Sequence, residues 1–150
     1  MILISSCLTG IKCRYNATDS YHQSLLEHVG DNYLTVCPEI LAGFGIPRIP
    51  CEIVGGSGAD VLNGTARIMD KNGKDITKQI LDGAQKALEI CLKNNITIAY
   101  LPPRSPTCGY GTIYDGSFSS RLITGNGIFA ELLMQHGIEV VAICEKTFDV

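Results

Sequence analysis

The stretch from Ile96 to Gly109 reads ITIAYLPPRSPTCG and carries the two features on which the fold prediction depends. Its first part, Ile96–Leu101, is rich in β-branched and aromatic residues, which is typical of a strand buried on both faces of a parallel sheet. Pro102 and Pro103 then prevent the strand from continuing, because proline cannot donate to a sheet ladder. The stretch therefore predicts a buried strand followed by a stiff loop that presents the thiol of Cys108.

Similar apolar runs of strand length occur elsewhere in the chain, at Ile2–Ser6, Tyr33–Val36 and Ile138–Ile143. Between the strands, apolar residues recur at helical spacing, which predicts helices over Ser20–Val29, Asp75–Asn94 and Gly127–His136. Gly83 slightly weakens the long helix, since glycine is a poor helix former. Strands that alternate with helices predict an α/β fold of Rossmann-like type, with an open, mostly parallel sheet flanked by helices.

The segment from Val54 to Lys74 departs from this alternation because it is rich in glycine. Lys71-Asn72-Gly73-Lys74 has the composition of a turn after a possible strand at Thr65–Met69. We interpret the segment as a small β excursion or a flexible flap.

Length and composition narrow the class of protein. The 150 residues fit one domain, 1–150, and a chain with 45% hydrophobic and 18% charged residues has enough apolar material for a buried core. A net charge of −3 disfavours a broad nucleic-acid interface, which needs clustered Lys and Arg. No apolar run reaches the length of about 18 residues that spans a bilayer, and the N-terminus lacks the basic region of a secretory signal. We expect a cytoplasmic protein without a membrane partner.

Seven cysteines are many for such a chain. An odd number in a reducing compartment disfavours a disulfide framework. The sequence also lacks Cys-x-x-Cys and the Cys/His spacing of zinc fingers, so a structural zinc module has little support. Metal binding or catalysis explains the cysteines better.

Three cysteines follow predicted strands: Cys7 the first, Cys37 the second, and Cys108 the strand at Ile96–Leu101. Loops at the carboxyl ends of parallel strands converge on one crevice, so these thiols are expected to meet. Thiolates are the usual ligands of iron–sulfur clusters, and a cubane cluster normally takes four of them. With three, one iron remains open as a Lewis acid, well suited to a sulfur atom of a substrate. The competing interpretation is that the cysteines are small buried hydrophobic residues.

The other cysteines receive no site role. Cys91 lies on the apolar stripe of the long helix and is expected in the core. Cys13, Cys51 and Cys144 are conceivable as spare ligands or persulfide acceptors, but we favour neither role for them.

Polar residues near the predicted crevice complete the candidate site. Glu39 follows Cys37 by two residues and is a candidate acid or base, although a carboxylate after Pro38 is also typical of a helix start. Ser105 is a candidate to donate a hydrogen bond or to activate water, or else an ordinary turn serine. Three arginines are candidates to bind a substrate phosphate, or else surface or structural side chains: Arg14, Arg48 and Arg104.

Several motifs together resemble the thiouracil desulfidase family over nearly the whole chain. They are Ser-Ser-Cys-Leu-Thr-Gly at 5–10, Arg14-Tyr15-Asn16, Cys37-Pro38-Glu39, Gly45 with Pro47-Arg48, Ser105-Pro106-Thr107-Cys108-Gly109 and Tyr114-Asp115-Gly116-Ser117-Phe118. The chain departs from the family at Asn16-Ala17, where relatives often have Asp-Gly, and at Arg104, where they often have Lys.

The resemblance implies a [4Fe–4S] cluster held by Cys7, Cys37 and Cys108. It implies non-redox removal of sulfur from a thiolated pyrimidine base or nucleotide, with Glu39 as proton donor or general acid/base and Ser105 assisting the nucleophile or positioning water. Relatives that act on RNA carry an extra domain, so a small-molecule substrate is expected here.

Two alternatives stay open from the residues. One is a non-catalytic module that binds a metal such as zinc, or a persulfide. The other is a transferase with Cys108 as its nucleophile, in which Cys7 and Cys37 would matter far less.

Overall fold

The computed structural model describes residues 1–11, 15–16 and 21–143. In these residues the strands are β1 (Ile2–Ser5), β2 (Tyr33–Val36), β3 (Cys51–Val54), β4 (Arg67–Asp70), β5 (Ile98–Leu101), β6 (Thr112–Tyr114), β7 (Leu122–Thr124) and β8 (Glu139–Ala142). The α-helices are α1 (Gln23–Val29), α2 (Pro38–Leu41), α3 (Gly58–Leu62), α4 (Thr77–Lys93) and α5 (Ile128–Gln135), and a short 3-10 helix covers Ser6–Thr9.

A four-stranded parallel sheet forms the centre of the fold, in the order β2-β1-β5-β8. Its strands are the four that the apolar runs predict, so the expectation of a mostly parallel, Rossmann-like sheet is confirmed. Neighbouring residues of β1 point to opposite faces: Leu3 is buried in the larger core cluster and Ile4 in a smaller one. Burial on both faces explains why the strand is apolar without alternation.

Helices cover both faces of this sheet. α4 and α5 pack into the larger core, where α4 buries Ile80, Ala84 and Leu88 together with Cys91, which is fully buried as expected. Leu25 of α1 packs into the smaller core. Each predicted helix is present but shorter than its pattern; in the described part of the chain, none has the length and apolar character needed to cross a membrane.

The predicted β excursion is an antiparallel pair, β3 with β4. The turn after β4 lies where the sequence places it, since Gly73 has φ 86° and its N–H donates to the Asp70 carbonyl at 3.0 Å. Ile53 and Ile68 anchor the pair in the larger core, so it is packed and not a loose flap. β3 begins at Cys51, before the segment that the sequence predicts. The prediction misses this start because four residues that include a glutamate give no clear strand pattern.

Gly83 is a poor helix former within α4, but it allows another helix to pack closely against α4. A Cβ atom at this position would lie 2.3 Å from the Pro38 carbonyl oxygen and 2.5 Å from Cβ of Ala42. Glycine therefore lets α2 lie directly on α4, and α2 begins next to Cys37.

We expect Gly83→Ala to lower the free energy of unfolding by about 1–3 kcal/mol through overpacking, although alanine is the better helix former. Urea unfolding followed by circular dichroism measures the change. Asp82→Ala, at an exposed position one residue away, is the control and should be neutral. A Gly83→Ala protein as stable as its parent would contradict the close approach of α2.

Candidate functional site

A cavity of about 1180 Å³ lies at the carboxyl ends of β1, β2 and β5. Cys7, Cys37 and Cys108 all line it. The strand-end loops thus bring together three thiols that are 30 and 71 residues apart in the sequence, as the sheet topology predicts.

Local structure holds each thiol differently. Cys7 is buried in the 3-10 helix that continues directly from β1. Cys37 is half-buried and forms the N-cap position of α2, where Pro38 ends the β2 ladder and starts the helix. Cys108 is buried in the loop after β5.

Ser105 organises the Cys108 loop from inside. Its Oγ accepts hydrogen bonds from the N–H groups of Thr107 and Cys108, both at 3.1 Å. These two bonds use the acceptor sites of the hydroxyl, so its O–H remains as a donor. Because Ser105 also lines the cavity, it is both a turn serine and a polar group of the site.

The start of α5 supports the same loop from outside. The N–H groups of Gly127, Ile128 and Phe129 donate to loop carbonyls at 2.6, 2.9 and 2.8 Å. A Cβ atom on Gly127 would lie 2.5 Å from the Thr107 carbonyl oxygen, which requires glycine. The Gly-Asn-Gly stretch at 125–127 is therefore a turn and helix start, and the first N–H groups of this helix bind the cysteine loop.

The thiols interact electrostatically. Burial raises the pKa of Cys108 well above its ordinary value, and the charges of Glu39, Cys37 and Cys7 raise it further. A hydrogen bond from the Ser5 side chain lowers it, and Ser5 Oγ is also 3.7 Å from Cys7 Sγ. Deprotonating all three thiols together would place like charges in a buried crevice, which a bound cation must compensate.

A set of three thiols around one cavity is chemically of the kind that holds an iron–sulfur cluster. Within residues 1–11, 15–16 and 21–143, no three His, Cys, Asp or Glu side chains are arranged to hold one metal ion. A single zinc ion requires ligand atoms within about 2.0–2.3 Å of one point, whereas each thiolate of a cluster binds a different iron atom.

Glu39 lies between a thiol and a guanidinium. It occupies the first turn of α2, and its Oε2 is 3.9 Å from Cys37 Sγ. Arg48 Nη2 donates to the same oxygen at 2.5 Å, and both side chains are largely buried, with 11% of Arg48 and 16% of Glu39 exposed. The other terminal nitrogen of Arg48, Nη1, is buried with no hydrogen-bond partner among the described residues.

The remaining predicted residues divide into two groups. Arg104 lines the cavity from an exposed position with φ 77°. Cys51 also lines it, and burial, with a smaller effect of Glu39, raises its pKa to about 12, so that it is a neutral thiol at pH 7. Arg14, Cys13 and Cys144 lie outside the described residues.

Among the residues of the cavity wall that receive no individual role from the sequence are Ser5, Glu52 and Phe118. Ser5 has a local signal, since it precedes the Ser-Cys pair at the end of β1. Phe118 ends the motif that begins at Tyr114. Glu52 has no such signal, because the N–H groups that its carboxylate binds lie 64 and 66 residues away.

We expect Arg48→Met to destabilise the protein by about 3 kcal/mol, because it leaves the largely buried Glu39 carboxylate without its partner. Equilibrium unfolding in urea measures the loss. Arg67→Met removes the exposed ion pair with Asp75 and should change stability much less. Equal decreases in the free energy of unfolding of the two variants would show that the buried Glu39–Arg48 pair stabilises the protein no more than the exposed pair does.

Comparison with known proteins adds an independent finding. A family model described as 2-thiouracil desulfurase matches residues 2–145. The uncharacterized protein YbbK of Bacillus subtilis (strain 168) is 46% identical over 143 residues, which cover 95% of each chain. A solved structure of the [4Fe-4S]-dependent thiouracil desulfidase TudS superposes with a TM-score of 0.79 at 34% identity, covering 94% of this chain and 89% of that one.

Proposed function

The chain belongs to the 2-thiouracil desulfurase family, and from this premise we propose that it is an enzyme that hydrolyses the carbon–sulfur bond of a thiolated pyrimidine with the help of a [4Fe–4S] cluster. The observation that carries the proposal is the meeting of Cys7, Cys37 and Cys108 in one cavity. The similar fold of TudS, whose name describes it as [4Fe-4S]-dependent, supports the choice of cofactor.

In this proposal the three cysteines are the ligands of the cluster. When bound, the cluster supplies a Lewis-acidic iron without a protein thiolate, to which the soft sulfur of a thiocarbonyl group can bind. Burial of Cys7 and Cys108 excludes water from the thiolates. The reaction consumes water and yields the oxo-pyrimidine and hydrogen sulfide, so no electron donor or acceptor is needed.

Glu39 is the proposed proton carrier. Its carboxylate accepts a proton from the attacking water and returns a proton to the departing sulfur. Its Oε2 lies 3.9 Å from the Cys37 sulfur, and the side chain lines the same cavity as the three cysteines. The hydrogen bond from Arg48 keeps the carboxylate in one orientation.

Ser105 is the proposed positioning donor. Since its oxygen already accepts two backbone N–H groups, it contributes its O–H to the substrate or to the water. Arg14, Arg48 and Arg104 remain the candidates for a phosphate when the substrate is a nucleotide, and Arg48 and Arg104 line the cavity. We place the enzyme in the cytoplasm, acting on a small molecule and not on nucleic acid.

One observation weighs against the transferase alternative. A nucleophilic cysteine needs a readily formed thiolate, whereas burial and neighbouring negative charges raise the pKa of Cys108. A thiol in this setting suits a ligand that loses its proton when a metal binds.

We expect Cys108→Ser to lose the broad visible absorbance of the cluster after anaerobic reconstitution. Turnover of 2-thiouracil, measured as sulfide release, should fall more than about 100-fold, since even the outer partners of a metal site are worth 10- to 100-fold. Cys51→Ser changes a thiol in the same cavity and should keep both properties. Undiminished turnover in Cys108→Ser would remove the cluster from the reaction.

Cys7→Ser and Cys37→Ser separate the proposal from a cysteine transferase. We expect each to abolish absorbance and sulfide release as fully as Cys108→Ser, because all three thiolates are ligands. Iron content and turnover are the measurements. Loss of activity in the Cys108 variant alone would instead favour a covalent cysteine mechanism.

A further inference from the structure

The loop between β6 and β7, residues 115–121, forms a wall of the cavity. Tyr114, Phe118 and Ser120 line the cavity from this hairpin. A hydrogen bond from the Asp115 N–H to the Arg121 carbonyl at 2.9 Å closes the loop at its base.

A buried carboxylate anchors the loop. Glu52 in β3 is 8% exposed, and its Oε1 accepts hydrogen bonds from the N–H groups of Gly116 at 2.9 Å and Phe118 at 3.2 Å. Gly116 has φ 92°, and a Cβ atom there would lie 2.5 Å from the Ile53 carbonyl oxygen. The loop backbone is therefore held against β3 on both sides of Ser117.

Phe118 sits in this loop with an unfavourable backbone. Its φ of 56° lies in the left-handed region, which a bulky side chain rarely adopts and which persists only where the surroundings enforce it. The ring is half-buried, yet neither core cluster of the described residues includes it. Core packing therefore does not offset the strain or the burial of the Glu52 charge.

A function in the cavity accounts for these features together. We propose that the ring of Phe118 is the surface on which the planar pyrimidine of the substrate stacks, and that Glu52 is a positioning residue that holds this ring in place. This inference rests on the proposed function, because it takes a thiopyrimidine as the ligand. Aromatic side chains stack well on flat heterocycles of any base type.

Stacking on Phe118 predicts which thiopyrimidines the enzyme prefers. A flat, aromatic thiopyrimidine such as 2-thiouracil gains the full contact with the ring, whereas 5,6-dihydro-2-thiouracil, with two tetrahedral carbons, gains less. The enzyme should therefore prefer the aromatic compound, and the preference should depend on Phe118.

The test uses the reconstituted holoenzyme. We expect Phe118→Leu to raise KM for 2-thiouracil about ten-fold with kcat little changed, and to reduce the preference over the dihydro compound. Phe118→Tyr should behave like the parent. Phe44→Leu removes an aromatic ring that packs against the larger core and should leave KM unchanged.

Glu52 is tested by comparing two variants. Glu52→Gln keeps an oxygen acceptor for the two N–H groups and should retain the parental KM, whereas Glu52→Ala should raise KM as Phe118→Leu does. A purely structural role would lower the stability of the Ala variant without moving its KM.

Equilibrium dialysis of uracil, which carries no sulfur, separates this inference from the proposed function. About ten-fold weaker uracil binding by Phe118→Leu supports stacking even if the parent fails to release sulfide from 2-thiouracil. Active Phe118→Leu enzyme with parental KM, parental preference and parental uracil binding would overturn the stacking role and leave the desulfidase proposal intact.

Discussion

The close approach of three thiols and a carboxylate in one buried crevice is the constraint on which this site depends. Three thiols and a carboxylate face one cavity, and the pKa of Cys108 responds to all of its acidic neighbours. Flexible loops would let these groups move apart. Here each thiol instead follows a strand of the parallel sheet directly or on a braced loop, so the sheet holds the groups together. The fold by itself thereby places these groups around one cavity.

The sequence predicts the sheet because its signals are local. Apolar strand-length runs identify β1, β2, β5 and β8, and the strand ends indicate where Cys7, Cys37 and Cys108 converge. The roles of these cysteines, and those of Glu39 and Ser105, remain predictions. The short strands β3, β6 and β7 escape prediction, because three or four residues of mixed polarity carry no clear period. From the sequence alone Gly83 is only a weak point of α4, since its benefit depends on contact with Pro38, 45 residues away.

The role of Arg48 also depends on a contact that the sequence does not reveal. A guanidinium near the crevice suits a phosphate equally well as a carboxylate, and the sequence offers no means of choosing. In the structure one terminal nitrogen binds Glu39 and the other is buried without a partner among the described residues. The structure thus assigns one terminal nitrogen of this arginine to a carboxylate. The sequence likewise gives no sign of the role of Glu52, since the loop N–H groups that it binds lie more than sixty residues away.

The three N–H groups at the start of α5 have a consequence for the motions of the protein. They hold the carbonyls of the loop that carries Cys108, so this loop cannot swing outward while the first helical turn is intact. Amide hydrogen exchange at Phe129 and alkylation of the buried Cys108 thiol in the metal-free protein therefore require one shared opening event. The helix start and the cysteine loop are therefore one unit of local stability.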